Sequence, residues 1–334
     1  MINAITVEEL LTKKKDENYP ETNFKLKIIG LGGCGTNIVN RLTSLGVDNN
    51  VIAINTDALQ LRSINHKVKK FLIGKNITKG FGCGGNAELG KRVMEESLES
   101  LIKLLPETDL TVITLGLSGG TGHGGIVPLV NKLKELGNDV IVIATLPFKI
   151  ERAKREVAKQ KAIEISQIAD ALILLDNQSL VDIASSLPLS NSFYAMDEKI
   201  ADLLLMFNNI FNKPSLINVD YADMHSLLIK GKGFATYSFA SINKQEEIYK
   251  IEEKINQNSL LLGNKDSAKA ALLYLRANYQ IPLGDAIKVL ETASSSLNQN
   301  SEVSFGIDLS EGNENHYIKI FSVYFGIEID LQRL

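Results

Sequence analysis

The chain has 334 residues, of which 44% are hydrophobic and 22% charged, a profile of folded globular proteins that excludes wholesale disorder. Its 36 Lys and Arg residues nearly balance 39 Asp and Glu residues, so the net charge of −3 gives no overall attraction to nucleic acid or anionic membranes. Two cysteines are too few for a disulfide framework, and no apolar run approaches the ~20 residues of a membrane span. We therefore expect a cytoplasmic protein of two compact units that neither binds nucleic acid nor inserts into a membrane.

The amino-terminal part of the chain predicts alternating strands and helices. After an extension of 23 residues, with a short helix expected over residues 6–13, each apolar strand leads into a helix. The predicted strands are 25–29, 51–54, 71–73, 110–115, 140–145 and 171–175, and the predicted helices are 37–45, 87–105, 126–136 and 150–169. This alternation favours an α/β fold with a Rossmann-like, mainly parallel sheet that helices cover on both faces.

A long helix is predicted over residues 191–211, and its apolar residues recur every three or four positions. This spacing forms one broad stripe and predicts a helix buried between two layers. The remainder predicts a smaller α/β unit, with strands at 234–240, 268–277, 302–309 and 317–329 and helices at 246–255 and 283–296. The expected organisation is an extension (1–23), a first domain (24–188), a central helix (189–213) and a carboxyl-terminal domain (214–334).

A glycine-rich turn follows the first predicted strand. Residues 30–35 fit the pattern G-x-G-x-x-G, in which glycines let backbone N–H groups approach a phosphate at a helix amino terminus. Asp57 follows roughly twenty residues later, after a second strand, as in dinucleotide-binding folds. Taken alone, the pattern favours an NAD-dependent oxidoreductase, and the competing interpretation is a tight turn without a ligand.

Two further glycine clusters change this interpretation. Residues 116–125 follow a buried strand and open into a helix, and residues 80–85 precede another helix. A dinucleotide fold needs one pyrophosphate loop, whereas loops that converge from several sides suit the many anionic oxygens of a triphosphate. The sequence has no cluster of His, Cys, Asp and Glu with metal-ligand spacing, so we expect Mg²⁺ to be held mainly by phosphates and water.

The second glycine run, residues 116–125, looks like the phosphate loop of tubulin-type proteins. Together with residues 54–57, 78–80, 146–148 and 216–223, it makes the chain resemble the tubulin/FtsZ superfamily of polymerising GTPases from about residue 25 to about residue 241. Beyond residue 241 the resemblance rests on the order of strands and helices. It implies a tubulin-like fold that binds GTP and GDP with Mg²⁺ and assembles head to tail into filaments.

The resemblance assigns the phosphate contacts to the glycine loops. The expected residues are Gly32, Gly33, Cys34, Gly35, Thr36, Asn37, Gly82, Gly84, Gly119, Gly120, Thr121, Gly122, His123 and Gly124. Cys34, Thr36 and Ser118 replace glycines that are usual in the family, and His123 stands where threonine is usual. His123 is expected to contact phosphate, to alter the rate of hydrolysis, or to face solvent as a neutral side chain. Thr121 is expected to offer its hydroxyl to phosphate or to water on Mg²⁺.

The resemblance also implies a base pocket, for which the long helix has suitable side chains. Phe193 and Asp197 lie four positions apart and so share a helix face. Phe193 is expected to stack on a purine, while Asp197 or Glu198 accepts hydrogen bonds from guanine N1–H and N2–H₂. The family usually has Asn-Asp where this chain has Asp197-Glu198, and the alternative is that both acids only solvate one edge of a core helix.

Three more residues match family positions around the nucleotide. Glu151 and Arg155 are assigned to the ribose and phosphate region, although two residues four apart also fit an ordinary surface ion pair. Asn177, which follows the predicted strand at 171–175, is assigned to the base.

The catalytic residues that the resemblance implies lie after the long helix. Asn218, Asp220 and Asp223 are expected to cover the nucleotide of the next subunit, where the carboxylates polarise the attacking water and Asn218 lies near the γ-phosphate. A head-to-tail contact that does not close produces a filament. The structural alternative is that Asp223 only caps the following helix, predicted over 224–229.

We therefore expect a GTPase filament protein of cell division, located in the cytoplasm at a mid-cell ring. Two alternatives stay open: a filament-forming or regulatory relative that does not hydrolyse GTP, and an NAD-dependent oxidoreductase. Typical family members continue into a disordered linker and a short peptide that recruits membrane tethers, and neither follows in this sequence. The expected partner is therefore a further copy of the chain. For the membrane, the alternatives are a tailed relative, a membrane-tether protein or another route, unless the filament serves a different function.

Overall fold

The computed structural model describes residues 24–47, 50–179, 181, 189–213, 215–243, 245–257, 262–310 and 317–332. The helix predicted over residues 6–13 lies outside these ranges. The strands within them are β1 Leu26–Leu31, β2 Val51–Asn55, β3 Lys69–Leu72, β4 Leu110–Gly116, β5 Asp139–Leu146, β6 Ala171–Asp176, β7 Gly233–Ile242, β8 Ala270–Asn278, β9 Glu302–Ser310 and β10 Ile318–Phe325. They form one sheet in the order β3-β2-β1-β4-β5-β6-β7-β10-β8-β9.

The helices that the structure describes are α1 Gly32–Ser44, α2 Ala58–Ser63, α3 Lys75–Thr78, α4 Ala87–Leu104, α5 Gly120–Glu135, α6 Arg152–Ile168, α7 Leu189–Asn212, α8 Tyr221–Lys230, α9 Ile251–Gln257 and α10 Leu283–Ser294. Short 3₁₀ segments cover Gln245–Lys250 and Lys265–Ser267. The strands and helices expected between residues 25 and 329 are present with shifted ends, whereas α2 and α3 were not predicted. Among the described helices, none has the length and apolar character that a membrane span requires.

The helices α1 and α5 begin earlier than the sequence pattern predicts, at Gly32 rather than residue 37 and at Gly120 rather than residue 126. Glycine has a low intrinsic helix preference, so these glycine-rich starts resemble loops in the sequence. Close packing requires the small residues: an ideal Cβ built on Gly35 would lie 2.2 Å from Thr114 O. Tertiary contacts therefore extend both helices through their glycines.

The sheet joins the two predicted units. Strands β1 to β6 pair in parallel, and β7 continues the parallel pairing beside β6 through Ala171–Gly233, Leu172–Phe234 and Ile173–Ala235. Strand β10 is antiparallel to both β7 and β8. The expected mainly parallel α/β sheet is confirmed, and it is continuous across the described residues, while the predicted domain boundaries remain a prediction.

Helices cover both faces of this sheet. In β1, Leu26 and Ile28 join one buried cluster and Ile29 and Leu31 join another, because alternate strand residues point to opposite faces. Residues of α1, α7 and α8 pack in the first cluster, those of α4, α5 and α6 in the second, and those of α9 and α10 in a third on the carboxyl-terminal strands.

The long helix α7 is buried as expected. Its residues in the first cluster are Met196, Ile200, Leu203, Leu204, Phe207 and Ile210. Each fully buried side chain of this size contributes about 1.5–3 kcal/mol. The same cluster contains residues from β1 and from β8, so α7 belongs to a core that both halves of the sheet share.

Candidate functional site

The strands β1, β2, β4, β5 and β6 end at one edge of the sheet, the carboxyl edge, where parallel α/β folds bind ligands. The three glycine loops meet there. An ideal Cβ built on Gly32 would lie 2.9 Å from Gly122 N, and one on Gly120 would lie 2.9 Å from Asn86 N. Gly32 also has a φ of 70°, which favours glycine. The predicted convergence of the loops is therefore present, and backbone atoms form the contacts between them.

The helices α1 and α5 begin at this edge without side-chain caps. Their N-cap residues, Leu31 and Gly119, make no side-chain hydrogen bond to the first turn, and neither first turn carries an acid. The helices α2 and α4 differ, because the side chains of Asp57 and Asn86 cap them. The unused N–H groups and the positive dipole ends of α1 and α5 therefore suit an anion such as phosphate.

The glycines assigned to phosphate fall into two groups. A Cβ on Gly124 would lie 2.0 Å from Ala87 O, so Gly124, like Gly35, is required by packing. Apart from its chain neighbours, the nearest atom to a Cβ on Gly119 would be Gly116 O at 4.0 Å, and no atom would lie within 4 Å of a Cβ on Gly84. Gly119 and Gly84 therefore leave space that a ligand can approach.

A polar network joins the end of β2 to two of the loops. The hydroxyls of Thr56 and Thr121 are 2.6 Å apart. Asn55 Nδ2 donates to Gln60 Oε1 at 2.8 Å and to Thr36 Oγ1 at 3.3 Å, and its Oδ1 accepts from Thr56 N–H at 2.8 Å. The sequence interpretation did not assign Asn55 or Gln60 to the site, although a buried amide at the end of an apolar strand is a usable signal.

Asp57 has a structural task. Its Oδ1 accepts from the Gln60 N–H at 3.0 Å and so caps α2. In a dinucleotide-binding fold, the acid at this position would bind a ribose hydroxyl. Here one carboxylate oxygen of Asp57 is instead engaged in the helix cap.

His123 is buried within the second glycine loop, with 7% of its surface exposed. Its Nδ1 lies 2.8 Å from Leu117 O, and its backbone N–H donates to Gly119 O at 3.3 Å. Because a carbonyl only accepts, Nδ1 carries the proton, and burial lowers the pKa of the ring. The expectation of a solvent-facing side chain is wrong, and both hydrogen bonds help to hold the loop, while the expected contact of His123 with phosphate and its effect on hydrolysis remain predictions.

Arg155 lies on α6 beneath the carboxyl edge, with its side chain 4% exposed. Its two terminal nitrogens donate to Asp176 Oδ1 and Oδ2 at 2.8 and 2.6 Å, and Nη1 also donates to Pro147 O. The alternative of an ordinary surface pair is wrong, because Arg155 is buried against Asp176, and Glu151 Oε2 lies 3.2 Å from Lys154 Nζ. Arg155 therefore ties together the ends of β5 and β6, and the assigned nucleotide contacts of Arg155 and Glu151 remain predictions.

Of the two α7 acids assigned to the guanine base, Asp197 is the more buried. Burial raises its pKa to about 6, and nearby Arg41 only partly opposes this. Glu198 is half exposed, and its Oε1 lies 3.2 Å from Arg41 Nη2. Phe193 lies in α7, but its side chain is outside the part of the chain that the structure describes.

Asp197 lies near the first glycine loop, because its charge acts on the thiol of Cys34. Burial raises the pKa of the Cys34 thiol to about 12, and the charge of Asp197 contributes in the same direction. The thiol Sγ lies 3.8 Å from Thr145 Oγ1, at the end of β5. A thiol that stays protonated is a small filler rather than a reactive group. Asn177, after β6, donates its N–H to Leu146 O at 3.1 Å and lies at the same edge.

The residues assigned to catalysis lie at the opposite edge of the sheet, the amino edge. Asp220 Oδ1 accepts from the Asp223 N–H at 2.8 Å, and Asp223 Oδ2 accepts from the Asp220 N–H at 3.1 Å. The N-cap of α8 is therefore Asp220, not Asp223, which completes a capping box. Asn218 Oδ1 accepts from the Ser215 N–H at 2.9 Å. Asn218 and Asp220 are exposed and Asp223 is partly exposed, so these side chains are accessible.

A recess of about 1510 Å³ opens at the amino edge, and Asn218 and Asp220 form part of its wall. Lys27 also contributes to the wall and is 2% exposed. Burial, together with the charge of Lys69, lowers the pKa of Lys27 to about 8. The amino edge is therefore concave and carries charged groups of both signs.

The strand β5 separates the two edges. Tyr221, the first residue of α8, contacts Asp139 at the start of β5, with the hydroxyl 2.9 Å from Oδ2. Leu117, in the second glycine loop, donates its N–H to Thr145 O near the end of β5 at 3.0 Å. At ~3.3 Å per residue, this strand spans roughly 20 Å. The turn that carries the acids and the second glycine loop therefore lie at opposite ends of this strand, farther apart than the hydrogen-bond reach that activation of a water molecule requires.

Comparisons with known proteins bear on the family and the fold. A profile described as the Tubulin/FtsZ family, GTPase domain, matches residues 25–185. The chain is 30% identical to Cell division protein FtsZ 2 of Methanocaldococcus jannaschii, over 98% of this chain and 87% of that relative. It is similar to the structure of an empty FtsZ dimer from M. jannaschii, with a TM-score of 0.85, 31% identity, and coverage of 96% of this chain and 91% of that one.

A more distant structure supports the fold alone. CetZ2 from Haloferax volcanii, in a GTPγS-bound protofilament, has a TM-score of 0.73 and 24% identity, and the match covers 91% of this chain and 94% of that one. The expected tubulin/FtsZ-like α/β fold is confirmed, and the oxidoreductase alternative is wrong. The full-length similarity to FtsZ at 30% identity, together with the matched GTPase domain, shows that the chain belongs to the Tubulin/FtsZ family.

Proposed function

We propose that this chain binds and hydrolyses GTP, assembles head to tail into filaments and acts in cell division. Its relative from M. jannaschii is named a cell division protein, and the similar structures include a dimer and a protofilament. These names support the general role, while the arrangement of residues supports the mechanism.

The observation that carries the proposal is the separation of the glycine loops from the acids of the turn at residues 218–223. The glycine loops lie at the carboxyl edge, and the acids lie at the amino edge of the same sheet. When molecules stack head to tail, the amino edge of one faces the carboxyl edge of the next, and each active site forms between two subunits. Because the same two surfaces meet at every contact, the assembly extends into a filament.

The carboxyl edge is proposed to hold the nucleotide. The N–H groups at the starts of α1 and α5 bind the phosphates, and the glycine loop around Gly84 closes over them. Asp197, with its desolvated carboxylate, accepts from guanine N1–H and N2–H₂, a donor pair that adenine lacks. Asn177 and Glu151 keep their assignments to the base and the ribose, and Phe193 is assigned to stacking on the purine.

The donor set at this edge fits Mg²⁺ bound through the nucleotide. Among the described residues, no group of three His, Cys, Asp or Glu side chains is placed to hold a metal ion. Thr121, in the second glycine loop, can offer a hydroxyl oxygen, and Mg²⁺ commonly completes its shell with phosphate oxygens and water. When bound, the ion neutralises charge on the phosphates.

The amino edge is proposed to supply the water-activating groups. Asp220 and Asp223 of one subunit orient a water molecule against the γ-phosphate held by its neighbour, and Asn218 lies near that phosphate. Carboxylates repel a triphosphate unless water or a cation lies between them. Their position on an exposed turn, away from the loops of their own molecule, avoids that repulsion until two subunits meet.

Asp220→Asn is the variant that tests this proposal. Asparagine is as good an N-cap as aspartate, whereas alanine at position 220 would also remove the cap of α8. We expect the variant to bind GTP and to form filaments, but to release phosphate roughly 100-fold more slowly than the unmodified protein. Phosphate release is measured against protein concentration, with filaments followed by electron microscopy. For the unmodified protein, release should begin at a threshold concentration and then rise steeply.

Asp285→Asn is a matched control, because it removes an acid from the first turn of another helix, α10. It should leave turnover unchanged. Normal turnover by Asp220→Asn, or full-rate hydrolysis by the unmodified protein below the assembly threshold, would contradict catalysis between subunits. Filaments that never release phosphate would instead support the non-hydrolysing alternative.

The proposal also keeps the expected organisation of the chain. Residues 24–188 form the GTP-binding domain, 189–213 the central helix, and 214–334 the carboxyl-terminal domain with the catalytic loop 216–223. The protein acts in the cytoplasm at a mid-cell ring, and a tailed relative or a membrane-tether protein attaches it to the membrane.

A further inference from the structure

The start of α8 is attached to the sheet by side chains that have no part in the proposed hydrolysis. The Tyr221 hydroxyl donates to Asp139 Oδ2 at 2.9 Å, and His225 Nδ1 lies 2.7 Å from the same oxygen. Lys134 Nζ lies 3.7 Å from the other oxygen, Oδ1. Asp139 is the first residue of β5, and its side chain is 6% exposed. We call Asp139, Tyr221 and His225 the α8 clasp.

The clasp provides hydrogen-bond donors for the buried carboxylate of Asp139. Tyr221 and His225 are four residues apart in α8 and therefore lie on one face of the helix. A buried carboxylate that loses its hydrogen-bond donors is strongly destabilised, so Asp139 favours the arrangement in which both donors reach it. Burial and the neighbouring Asp139 raise the pKa of Tyr221, which keeps the hydroxyl protonated as a donor.

The Tyr221 ring is positioned separately from its hydroxyl. The ring centroid lies 5.1 Å from that of Phe24, which in turn lies 4.2 Å from the Phe211 ring at the end of α7. The centroid of the His225 ring lies 5.7 Å from that of the Tyr221 ring. Phenylalanine at position 221 can keep these contacts and lose only the hydrogen bond to Asp139.

The opposite side of α8 is bound to the carboxyl-terminal strands. Ser226 Oγ donates to Glu302 Oε1 at 2.6 Å, and Lys230 Nζ lies 3.7 Å from Glu302 Oε2. The helix is thus fixed to both halves of the sheet, but the clasp is the attachment that includes the first residue of the helix, directly after Asp220.

We propose that the α8 clasp positions Asp220 and Asp223 for hydrolysis of the nucleotide bound by the neighbouring subunit. This inference rests on the proposed function. Asp220 immediately precedes Tyr221, and Asp223 lies between Tyr221 and His225, so a tilt of this turn moves both carboxylates. A misplacement of about 1 Å can slow an enzyme by ~100-fold. Tyr221, His225 and Asp139 are therefore positioning residues, which act through the two acids.

Tyr221→Phe tests the clasp with the smallest change. We expect phosphate release per assembled subunit at saturating GTP to fall roughly tenfold, while the dissociation constant for GDP and the assembly threshold stay within about twofold. His225→Ala should have a similar effect, and His225→Asn should restore part of the rate, because its amide can donate to Asp139. In Tyr221→Phe/His225→Ala the loss should be smaller than the product of the single losses, because both side chains act through one carboxylate.

Ser226→Ala is the matched control, since it removes one hydroxyl hydrogen bond from the same helix on its other side. It should hydrolyse GTP at the normal rate. A loss in Ser226→Ala equal to that in Tyr221→Phe would mean that any loosening of α8 slows turnover, and it would overturn the clasp. Normal turnover in Tyr221→Phe, or a loss that comes from weaker GDP binding, would also overturn it.

Asp220→Asn, measured in the same assay, separates the two possible failures. If the unmodified protein releases no phosphate, the proposed function fails and the clasp fails with it. If Asp220→Asn is slow while Tyr221→Phe is normal, the proposed function stands and the clasp alone is wrong.

Discussion

At the carboxyl edge of the sheet, three glycine loops pack so closely that a Cβ on Gly124 would lie 2.0 Å from Ala87 O. At the amino edge, Asp220 and Asp223 lie on an accessible turn that hydrogen bonds hold in place. The first surface is formed mainly by backbone groups that close packing fixes before any ligand arrives. The second is formed by side chains whose positions depend on a few polar contacts. Substitutions of the closely packed residues at the carboxyl edge should therefore reduce folding stability, whereas substitutions at the amino edge should reduce turnover in a folded protein.

Arg155→Met should be the most damaging change to folding. It leaves the carboxylate of Asp176 buried without its guanidinium, and breaking a buried pair in this way costs about 3–5 kcal/mol. Equilibrium unfolding in urea, without nucleotide, measures the loss. Arg155→Met/Asp176→Leu should recover a large part of it, because the double variant removes both charges. A loss below about 1 kcal/mol would show that the carboxyl edge does not depend on this pair.

Gly124→Ala should come next, because its methyl group forces α5 away from α4. Overpacking of this kind costs roughly 1–3 kcal/mol or more in the free energy of unfolding. Gly119→Ala, in the same loop, is the matched control. The φ of Gly119 is −88°, which suits alanine, and an added Cβ would lie 4.0 Å from Gly116 O. We expect Gly119→Ala to unfold at the normal urea concentration but to bind GDP more weakly, as fluorescent GDP titration would show. Equal stability of the two variants would contradict the division of these glycines into packed and open positions.

Asp197 should make nucleotide binding depend on pH. Its pKa of about 6 lies above the ordinary 3.8, so the carboxylate becomes protonated as the pH falls below about 6. GDP affinity should then fall by up to about tenfold per pH unit, because the protonated group no longer accepts both guanine hydrogen bonds. The nucleotide-free protein should gain stability from this group between pH 6 and pH 4, because the folded state binds the proton more tightly than the unfolded chain. Asp197→Asn should remove both trends, and pH-dependent GDP titrations and urea unfolding measure them. Affinity that stays flat down to pH 5 would exclude Asp197 from the base contact.

Asp223→Asn should have the smallest effect on folding. The asparagine oxygen can still accept from the Asp220 N–H, so the capping box survives and the free energy of unfolding should change by less than about 1 kcal/mol. Turnover should nevertheless fall, because the second carboxylate is lost. The same urea experiment, combined with phosphate release, checks both expectations. A stability loss above about 2 kcal/mol would mean that the amino edge also depends on this turn for folding.

Local patterns in the sequence predict much of this molecule. The apolar residues of α7 recur at helical spacing, and burial follows because Ile200, Leu203 and Phe207 occupy one stripe. The glycine loops follow strand ends, and parallel strands bring those ends to one edge. Both inferences depend on residues that are close in the chain or on a general rule of topology.

Such patterns do not predict contacts between residues that are far apart in the sequence. Arg155 and Asp176 are 21 positions apart, and Tyr221 and Asp139 are 82 apart. No spacing rule links a residue on one element to a partner that only the folded sheet brings close. The burial of His123 was not predicted for another reason. The glycine-rich segment around it is helical, and the helix directs the His123 ring toward Leu117 O rather than toward solvent.

The joint between β6 and β7 has a mechanical consequence. Three residue pairs link these strands, whereas eight link β7 to β10, and no neighbouring pair of strands in the described sheet has fewer than three. A shear of the last four strands against the first six breaks the fewest hydrogen bonds along this line and leaves the ladders on either side intact. We therefore expect a load applied across the sheet to separate β6 from β7 before either block of strands comes apart.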